Sequence, residues 1–590
     1  MSRVALSPDA SETERWGEVA AALGLARLDV VAPDLADPDD EPPAPEVFTR
    51  AESMLLGPAP DHLLVTAPSA AQQVLIGDFV ARHPRERDRL VIAAPREIRR
   101  ALIERWSAAL TRRARRAVLD RDPDLSCVGT PEPWQLLVVA ALIVVWFVAS
   151  FGLFTPLIAF WTTLFLLIGV FRLIIADRGP DPDEPPPVRD ADLPTVAVLV
   201  PLYREVEVLP DLVAALRRLD YPTDRLIVRL VVEADDEATR ASAVRLVRDT
   251  PFDVVVVPPS LPRTKPKALD FALQTVAADF VTVYDAEDRP DPDQLRRVAA
   301  VFRAGPPELA VVQAALEIDH ADGDRPWLVR QFEIEYAVLF HGLLPWLADR
   351  GLFLPLGGTS NHFRRATLDR VGAWDPANVT EDADIAVRLA RGGFRFAMVA
   401  SSTLEEAPKH WRAWSAQRTR WLKGWMQTWF THVRTPLRLH RELGPADALA
   451  FHLVLGGQLV SAFAFAPSFL LLTLQALGLV PLFGDRFLDG DVVLLAGIFA
   501  YVTGIVGAWI LALQVTARGR RRVAIADVLT MPLYWCAISF AAWRAVWELL
   551  AAPSQWNKTA HGLATRVAPA RSTPCTPPPA EAMSESPERV

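Results

Sequence analysis

The chain has 590 residues, of which 51% are hydrophobic, and its mean hydropathy is positive. These values are high for a fully soluble protein and favour membrane segments, while a formal net charge of −9 argues against a nucleic-acid-binding protein. The three cysteines, Cys127, Cys536 and Cys575, are far apart and form no CxxC pair, so the sequence supports neither a zinc site nor a disulfide framework.

The N-terminal region predicts a small α/β domain over residues 11–118. Short strands are expected at His62–Thr66 and Leu90–Ala93, and an amphipathic helix at Pro95–Trp106. The first 18 residues are polar and acidic and do not resemble a signal peptide. This domain is therefore expected to stay in the cytoplasm.

A nearly uncharged segment follows at residues 134–176 and is long enough for two membrane-spanning helices. Arginines flank it on both sides, which favours a transmembrane hairpin with both ends in the cytoplasm. Residues 177–193 then predict an acidic, proline-rich linker.

Residues 194–445 predict a soluble α/β domain. Apolar runs at Thr195–Val200, Leu226–Val232, Val254–Val257 and Phe280–Tyr284 are typical of buried parallel strands, and helical segments lie between them. This alternation predicts a doubly wound sheet.

Three more hydrophobic blocks lie at residues 448–481, 491–515 and 524–550. Residues 446–552 as a whole therefore predict transmembrane or interfacial helices. The final residues, 566–590, are rich in Pro, Ser and Glu and predict a disordered tail.

Acidic residues follow two of the predicted strands of the central domain. Asp235 and Asp236 follow the second strand, and Asp285 and Glu287 follow the fourth. Ligands of open α/β sheets bind beyond the carboxyl ends of the strands, and a divalent cation held there by carboxylates can stabilise a departing nucleoside diphosphate. Asp-rich turns explain either cluster alone, but the pair favours a binding site.

A basic segment carries Arg263, Lys265 and Lys267. Such side chains suit phosphate oxygens, although an exposed basic loop is an equally good interpretation.

Three further motifs follow in order: GGTSNH at 357–362, TED at 380–382 and QRTRW at 417–421. Together with the two acidic clusters and the hydrophobic blocks after them, they resemble processive family 2 glycosyltransferases, which include cellulose synthase, hyaluronan synthase and other β-glucan synthases. The resemblance covers residues 194–563. It implies a GT-A-type domain inserted between transmembrane helices of the bacterial cytoplasmic membrane, with the catalytic domain in the cytoplasm.

The resemblance also implies catalytic and metal-binding roles. Asp382, with Glu381 beside it, matches the family's general base. Asp285 and Glu287 match the D-x-D pair that holds Mg²⁺ or Mn²⁺, with Glu in place of the second Asp.

Nucleotide-sugar-binding roles are implied for a second group of residues. Asp235 or Asp236 matches the acid that contacts uridine, and Asp285, Lys265 and Arg420 are expected at the diphosphate.

Acceptor-binding roles are implied for Gln417, Arg418, Trp421 and Thr359, with the indole of Trp421 stacked on the terminal sugar. A membrane-interface anchor is the alternative for this indole. Four neighbouring tryptophans are assigned to that interface: Trp411, Trp414, Trp425 and Trp429.

Residues 553–565 resemble the gating loop of cellulose synthase, through Trp556 and Thr559. If each of the three preceding blocks spans once, this loop lies outside the cell. A cytoplasmic gate therefore requires one block to form a hairpin or to lie along the membrane surface.

The N-terminal domain resembles the N-terminal domain of type II secretion ATPases, which binds cyclic di-GMP in some relatives. No copy of that binding motif is evident in the sequence, which favours a structural or docking role. Cyclic di-GMP and an accessory envelope subunit stay open as partners.

The predicted function is transfer of a sugar from a UDP-sugar, with inversion, to a growing β-linked exopolysaccharide. The other predicted partners are this acceptor and membrane lipid, without nucleic acid. Two alternatives stay open: a non-processive transferase acting on a lipid carrier or glycolipid, and a non-catalytic envelope scaffold or second-messenger sensor.

Overall fold

The computed structural model describes residues 12–37, 39–57, 62–148, 155–177, 184–319, 323, 325–479, 490–518 and 523–551. The segment at 553–565, with Trp556 and Thr559, and the tail at 566–590 lie outside the described residues.

The N-terminal region forms a four-stranded sheet flanked by helices. The strand order is β1-β4-β3-β2, with β2 antiparallel to β3 and the other neighbours parallel. The elements are α1 Glu12–Leu23, β1 Ala26–Arg27, α2 Pro45–Arg50, β2 Ser53–Leu56, β3 Leu63–Thr66, α3 Ala70–Arg82, β4 Leu90–Ile92, α4 Pro95–Arg105 and α5 Ser107–Arg121. Both expected strands and the expected helix are present within one or two residues of their predicted bounds.

This region packs against the central domain around one buried carboxylate, Asp253. Arg96 Nε lies 2.9 Å from Asp253 Oδ1 and Arg229 Nη1 lies 2.7 Å from Oδ2, while Arg99 also pairs with Asp253. Burial alone would raise the pKa of Asp253, but the three guanidinium groups outweigh it and lower the pKa. One apolar core also runs through both regions.

Two helices lead to the central domain: α6 Pro133–Val148 and α7 Thr155–Ala176. The central domain then contains β5 Val196–Leu202, α8 Leu209–Leu216, β6 Leu226–Glu233, α9 Glu237–Val247, β7 Asp253–Val257, α10 Lys265–Leu273, β8 Phe280–Val283, β9 Arg289–Pro290, α11 Gln294–Ala304, β10 Leu309–Ile318, α12 Trp327–Val338, α13 Leu344–Asp349, β11 Asn361–Arg364, α14 Arg365–Val371, α15 Glu381–Arg391, β12 Arg395–Glu405 and α16 Trp411–Val433.

The central sheet has eight strands in the order β7-β6-β5-β8-β11-β10-β12-β9. The first four are parallel, as the apolar runs predict, and they place the ends of β6 and β8 at one edge. The sheet is nevertheless mixed rather than wholly doubly wound, because β11 is antiparallel to both β8 and β10. Only four residues long, with three of the four polar, β11 produces no apolar run in the sequence.

The C-terminal region consists of α17 Pro436–Phe451, α18 Gly457–Ala476, α19 Gly490–Arg518, α20 Ile525–Leu529 and α21 Met531–Ala551. Within the described residues, two helical stretches, Pro436–Ala476 and Asp491–Ala517, are long and apolar enough to cross a membrane. Thr162–Ala176 of α7 is a shorter apolar stretch. The predicted hairpin at 134–176 and the predicted span at 524–550 stay predictions.

Helices α7 and α19 pack closely through glycine. A Cβ on Gly169 would lie 3.0 Å from the Cα of Gly504 and 3.2 Å from the carbonyl carbon of Thr503, so a larger residue would force the helices apart. Close packing of small residues is typical of helix pairs in membranes.

Candidate active site

A cavity of about 220 Å³ lies at the carboxyl ends of β5, β6 and β8, between the sheet and helix α16. We call it the polar cavity, because eight carboxylates and three cations contribute to its wall. It gathers nine of the predicted site residues: Lys265, Asp285, Glu287, Thr359, Glu381, Asp382, Gln417, Arg420 and Trp421.

Lys265 links the two acidic motifs across this cavity. Its Nζ lies 2.6 Å from Asp285 Oδ1 and 3.4 Å from Glu381 Oε1, and it donates to the carbonyl oxygen of Gly358 at 2.6 Å. Burial lowers the pKa of Lys265, but Asp285 and Glu381 outweigh burial and raise the pKa. Lys265 therefore stays cationic and holds a positive charge where a diphosphate would need one.

Asp288 holds the turn at Asp285 in place through hydrogen bonds. It accepts from the Asp285 backbone N–H at 2.7 Å and from the Thr359 hydroxyl. Burial, with Asp285 next in importance, raises the pKa of Asp288 well above its usual range. Sequence analysis assigned no role to Asp288, and the structure makes it a residue that orients the turn.

Asp382 lies in the first turn of α15, where its Oδ1 accepts from the backbone N–H of Ala383 at 2.8 Å. Its Oδ2 is 3.5 Å from the point that a Cβ on Gly358 would occupy, so the carboxylate lies against the 357–362 loop. Burial and then the neighbouring Glu381 raise the pKa of Asp382 to about 7. A carboxylate whose pKa lies near neutral pH suits a general base.

Helix α16 approaches the TED turn closely because residue 424 is glycine. A Cβ on Gly424 would lie 2.3 Å from the Thr380 hydroxyl oxygen, a distance that no side chain tolerates. Gln427 Oε1 accepts from the Val379 backbone N–H at 3.3 Å, and Asn378 donates to Thr428 at 2.9 Å. These contacts fix α16 relative to Asp382. Sequence analysis did not select Gly424.

One face of α16 carries Gln417, Arg420 and Trp421 into the polar cavity. Positions i, i+3 and i+4 lie on the same side of a helix, which explains the spacing of the motif. The buried Gln417 has no hydrogen-bond partner for its Oε1 among the described residues. Burial lowers the pKa of Arg420. The carboxylates of Glu381 and Asp285 oppose this shift but do not outweigh it.

Residues 194–424 match the family model described as "Glycosyltransferase like family 2". We call this segment the family 2 domain, after the model that it matches. Its mixed α/β fold is GT-A-like, and the match supports glycosyltransferase chemistry for this domain.

Two curated proteins illustrate the similarity to the family 2 domain. The chain is 28% identical over 243 residues to a probable glycosyltransferase, YdaM, of Bacillus subtilis (strain 168), covering 40% of this chain and 56% of that protein. It is 23% identical over 315 residues to glucomannan 4-beta-mannosyltransferase 1 of Oryza sativa subsp. japonica, covering 50% and 60%. The chain thus spans less than two thirds of the length of either relative.

Among solved structures, the chain is similar to the mannosyltransferase PcManGT from Pyrobaculum calidifontis in complex with GDP-Man and Mn²⁺. The TM-score is 0.42 at 17% sequence identity, covering 67% of this chain and 99% of that one. A TM-score this low supports no conclusion about the ligand of this family 2 domain.

Arg418 does not face the polar cavity of the family 2 domain. It is buried on another side of α16, where its Nη1 and Nη2 donate to the two Glu335 oxygens at 2.6 and 2.5 Å and Nη2 also donates to Tyr534 at 3.1 Å. Its guanidinium lies 4.6 Å from the Trp421 ring and 4.7 Å from the Phe332 ring. In the structure, Arg418 therefore contacts the Trp421 ring and does not take the predicted place in the polar cavity.

The uridine-binding candidates also lie outside the wall of the polar cavity. Asp236 is the N-cap of α9 and accepts from the Thr239 backbone N–H at 3.3 Å, which is the structural role that acidic turns often have. Asp235 pairs with Arg263 at 2.5 Å, and Arg263 does line the cavity. Lys267 is fully buried against Glu233 at 2.9 Å rather than placed at a phosphate site.

The assignment of four tryptophans to the membrane interface is wrong for Trp414, which is fully buried and donates to Tyr534 at 3.1 Å. Trp425 lines two cavities. Trp411 is exposed and stacks on Trp414, as an interfacial residue can. Packing of α16 against α21 thus buries Trp414 and contacts Trp425.

A metal fits the charge of this site but needs ligands beyond the protein. Within the described residues, no group of three or more His, Cys, Asp or Glu side chains could hold an ion. Mg²⁺ is commonly held by one or two carboxylates together with substrate phosphates. Asp285 and Glu287, in a wall where carboxylates outnumber cations, match that donor set.

Proposed function

We propose that this chain is an inverting glycosyltransferase that transfers a hexose from a UDP-sugar to the hydroxyl of a β-linked saccharide, in the bacterial cytoplasmic membrane with its catalytic domain in the cytoplasm. The observation that carries the proposal is the polar cavity, where one carboxylate with a pKa of about 7, Asp382, lies with Lys265 and Arg420. A base and two cations are what a single displacement on a nucleotide-sugar requires.

In the proposed reaction, Asp382 takes the proton from the acceptor hydroxyl. The hydroxyl oxygen forms its bond to the anomeric carbon as the bond from that carbon to the diphosphate oxygen breaks. The leaving nucleoside diphosphate keeps the electron pair, and Lys265 and Arg420 stabilise its charge. One displacement turns an α-linked donor into a β-linked product.

Asp285 and Glu287 are the residues that would hold Mg²⁺ or Mn²⁺. The ion would supply positive charge to the departing diphosphate. Lys265 already neutralises part of the charge of Asp285 at 2.6 Å, so bound donor and cation would compete with this ion pair.

Gln417 and Trp421 are proposed to bind the acceptor. Trp421 offers an indole face that suits the apolar face of a sugar ring. The unpartnered Oε1 of Gln417 would accept from a sugar hydroxyl, which satisfies a buried polar atom.

A donor screen tests the proposal. The protein in lipid nanodiscs is supplied with UDP- and GDP-hexoses, with Mg²⁺ or Mn²⁺, and with a saccharide acceptor. We expect release of UDP coupled to a β-linked product, which NMR of the product would identify; product length separates an exopolysaccharide from a single addition. Absence of both hydrolysis and transfer with every donor would refute the proposed function.

A further inference from the structure

A second cavity, of about 560 Å³, lies between α7, α12, α16, α18, α19 and α21. We call it the apolar cavity, because most of its lining side chains are aliphatic or aromatic, as in Ile334, Leu422, Ile505 and Ile538. Helices α18 and α19 belong to the two stretches that could cross a membrane. The apolar cavity therefore offers a mostly aliphatic and aromatic lining beside the family 2 domain.

Several polar groups in its wall already bond within the protein, whereas Gln331 Oε1 and Arg418 Nε have no partner among the described residues. Glu335 accepts from Arg418 through both oxygens and from the Tyr534 hydroxyl at 2.8 Å. Tyr501 donates to the carbonyl oxygen of Phe465 at 3.1 Å. A sugar chain carries several hydroxyls on each ring, and each one that is buried without a partner weakens binding. A hydrocarbon chain meets no such penalty.

The two cavities meet at α16. Trp421 and Trp425 line both the polar cavity and the apolar cavity. A molecule with a sugar at one end and a hydrocarbon at the other can therefore place its hydroxyl near Asp382 and its apolar part between the helices. The wall also contains Gly504, where a Cβ would meet nothing within 4 Å, so the space beside it is open.

We infer that the apolar cavity binds the hydrocarbon part of a lipid-linked acceptor, which the polar cavity glycosylates. This inference rests on the proposed transferase function and specifies its acceptor class. The apolar lining favours a hydrocarbon chain over a polysaccharide in this cavity.

Alkyl glycosides test the inference. The probes are ethyl, octyl and dodecyl β-glucosides and β-mannosides, kept below their micelle-forming concentrations, with labelled donor and nanodisc-embedded protein. We expect the acceptor KM to fall by at least about tenfold from ethyl to octyl, because each buried methylene favours binding. Equal KM values for the three chain lengths, or long polymers grown on lipid-free oligosaccharides, would overturn it.

A cavity-filling variant locates the effect. In Gly504→Leu the new side chain enters the open space of the apolar cavity, and leucine favours a helix more than glycine does. We expect this variant to lose the preference for octyl over ethyl glycosides while transfer to ethyl glycosides changes less than about twofold. Val502→Phe, on the exposed side of α19, adds similar bulk and should keep the preference.

The two failures are distinguishable. If no donor is hydrolysed or transferred to any acceptor, the proposed function fails. If transfer occurs but Gly504→Leu and Val502→Phe behave alike, or octyl and ethyl glycosides compete equally, only the lipid inference fails.

Discussion

The polar cavity and the apolar cavity share two tryptophans of α16 but differ in almost every other respect. The first lies at the strand ends and is lined by charged groups such as Lys265, Asp285 and Asp382. The second lies among helices, where Arg418 is paired with Glu335 and Arg172 donates to the carbonyl oxygen of Gly504 at 3.1 Å. Charged groups are therefore concentrated on one side of Trp421 and apolar groups on the other.

The difference shows how one helix can serve two environments. Gln417, Arg420 and Trp421 point toward the charged side. Arg418 is rotated about 100° from Gln417 around the helix axis and faces α12 and α21. Changes on the two sides should consequently affect different kinetic constants.

The largest effect is expected from Asp382→Asn, which removes the proposed base while keeping the shape of the side chain. The amide oxygen can still accept from the Ala383 backbone N–H, so the fold and UDP binding should be retained. Transfer should fall by about 10²–10⁴-fold. Initial rates with labelled donor and calorimetric titration of UDP measure the two quantities.

The same loss is expected for ethyl and dodecyl acceptors, because the base acts in the polar cavity only. Asp249→Asn, at an exposed position, is the matched control and should keep wild-type rates. Wild-type turnover in Asp382→Asn would exclude the assigned base.

The comparison also separates what the sequence could predict from what it could not. The ends of β6 and β8 were predictable, because an apolar run followed by acidic residues is a local signal. By the same rule, the end of β12 pointed to Glu405 and Glu406, which line the polar cavity and were missed.

Other features depend on tertiary packing. Helical spacing separates Arg418 from Gln417, Arg420 and Trp421, but only the structure shows that Glu335 and Tyr534 receive its guanidinium. The buried position of Trp414 depends in the same way on α21, which is far away in the sequence. The apolar cavity itself is formed by helices that are far apart in the sequence, and no local pattern predicts it.

The pH dependence should follow Asp382. Burial, and then Glu381, raise its pKa to about 7, and a general base acts only when it is deprotonated. We expect kcat/KM to rise about tenfold per pH unit below the pKa and to level off above it. Rates measured from about pH 5 to 9 check this. A rate that falls as pH rises through neutrality would contradict the role of Asp382.

The smallest effect is expected at the boundary between the cavities, in Arg418→Lys. Lysine keeps the positive charge but loses the planar fork that holds both Glu335 oxygens and lies 4.6 Å from the Trp421 ring. The indole should then be held less firmly. The acceptor KM is expected to rise about three- to tenfold, while donor hydrolysis without acceptor stays within about twofold of wild type.

Arg412→Lys, at an exposed position on the same helix, is the control and should change neither constant. If Arg418 merely stabilised the fold, donor hydrolysis and transfer would fall together in Arg418→Lys, with the acceptor KM unchanged. A rise confined to the acceptor KM would instead identify Arg418 as a positioning residue for Trp421. Through this contact, a residue on the apolar side of α16 would affect acceptor binding on the charged side.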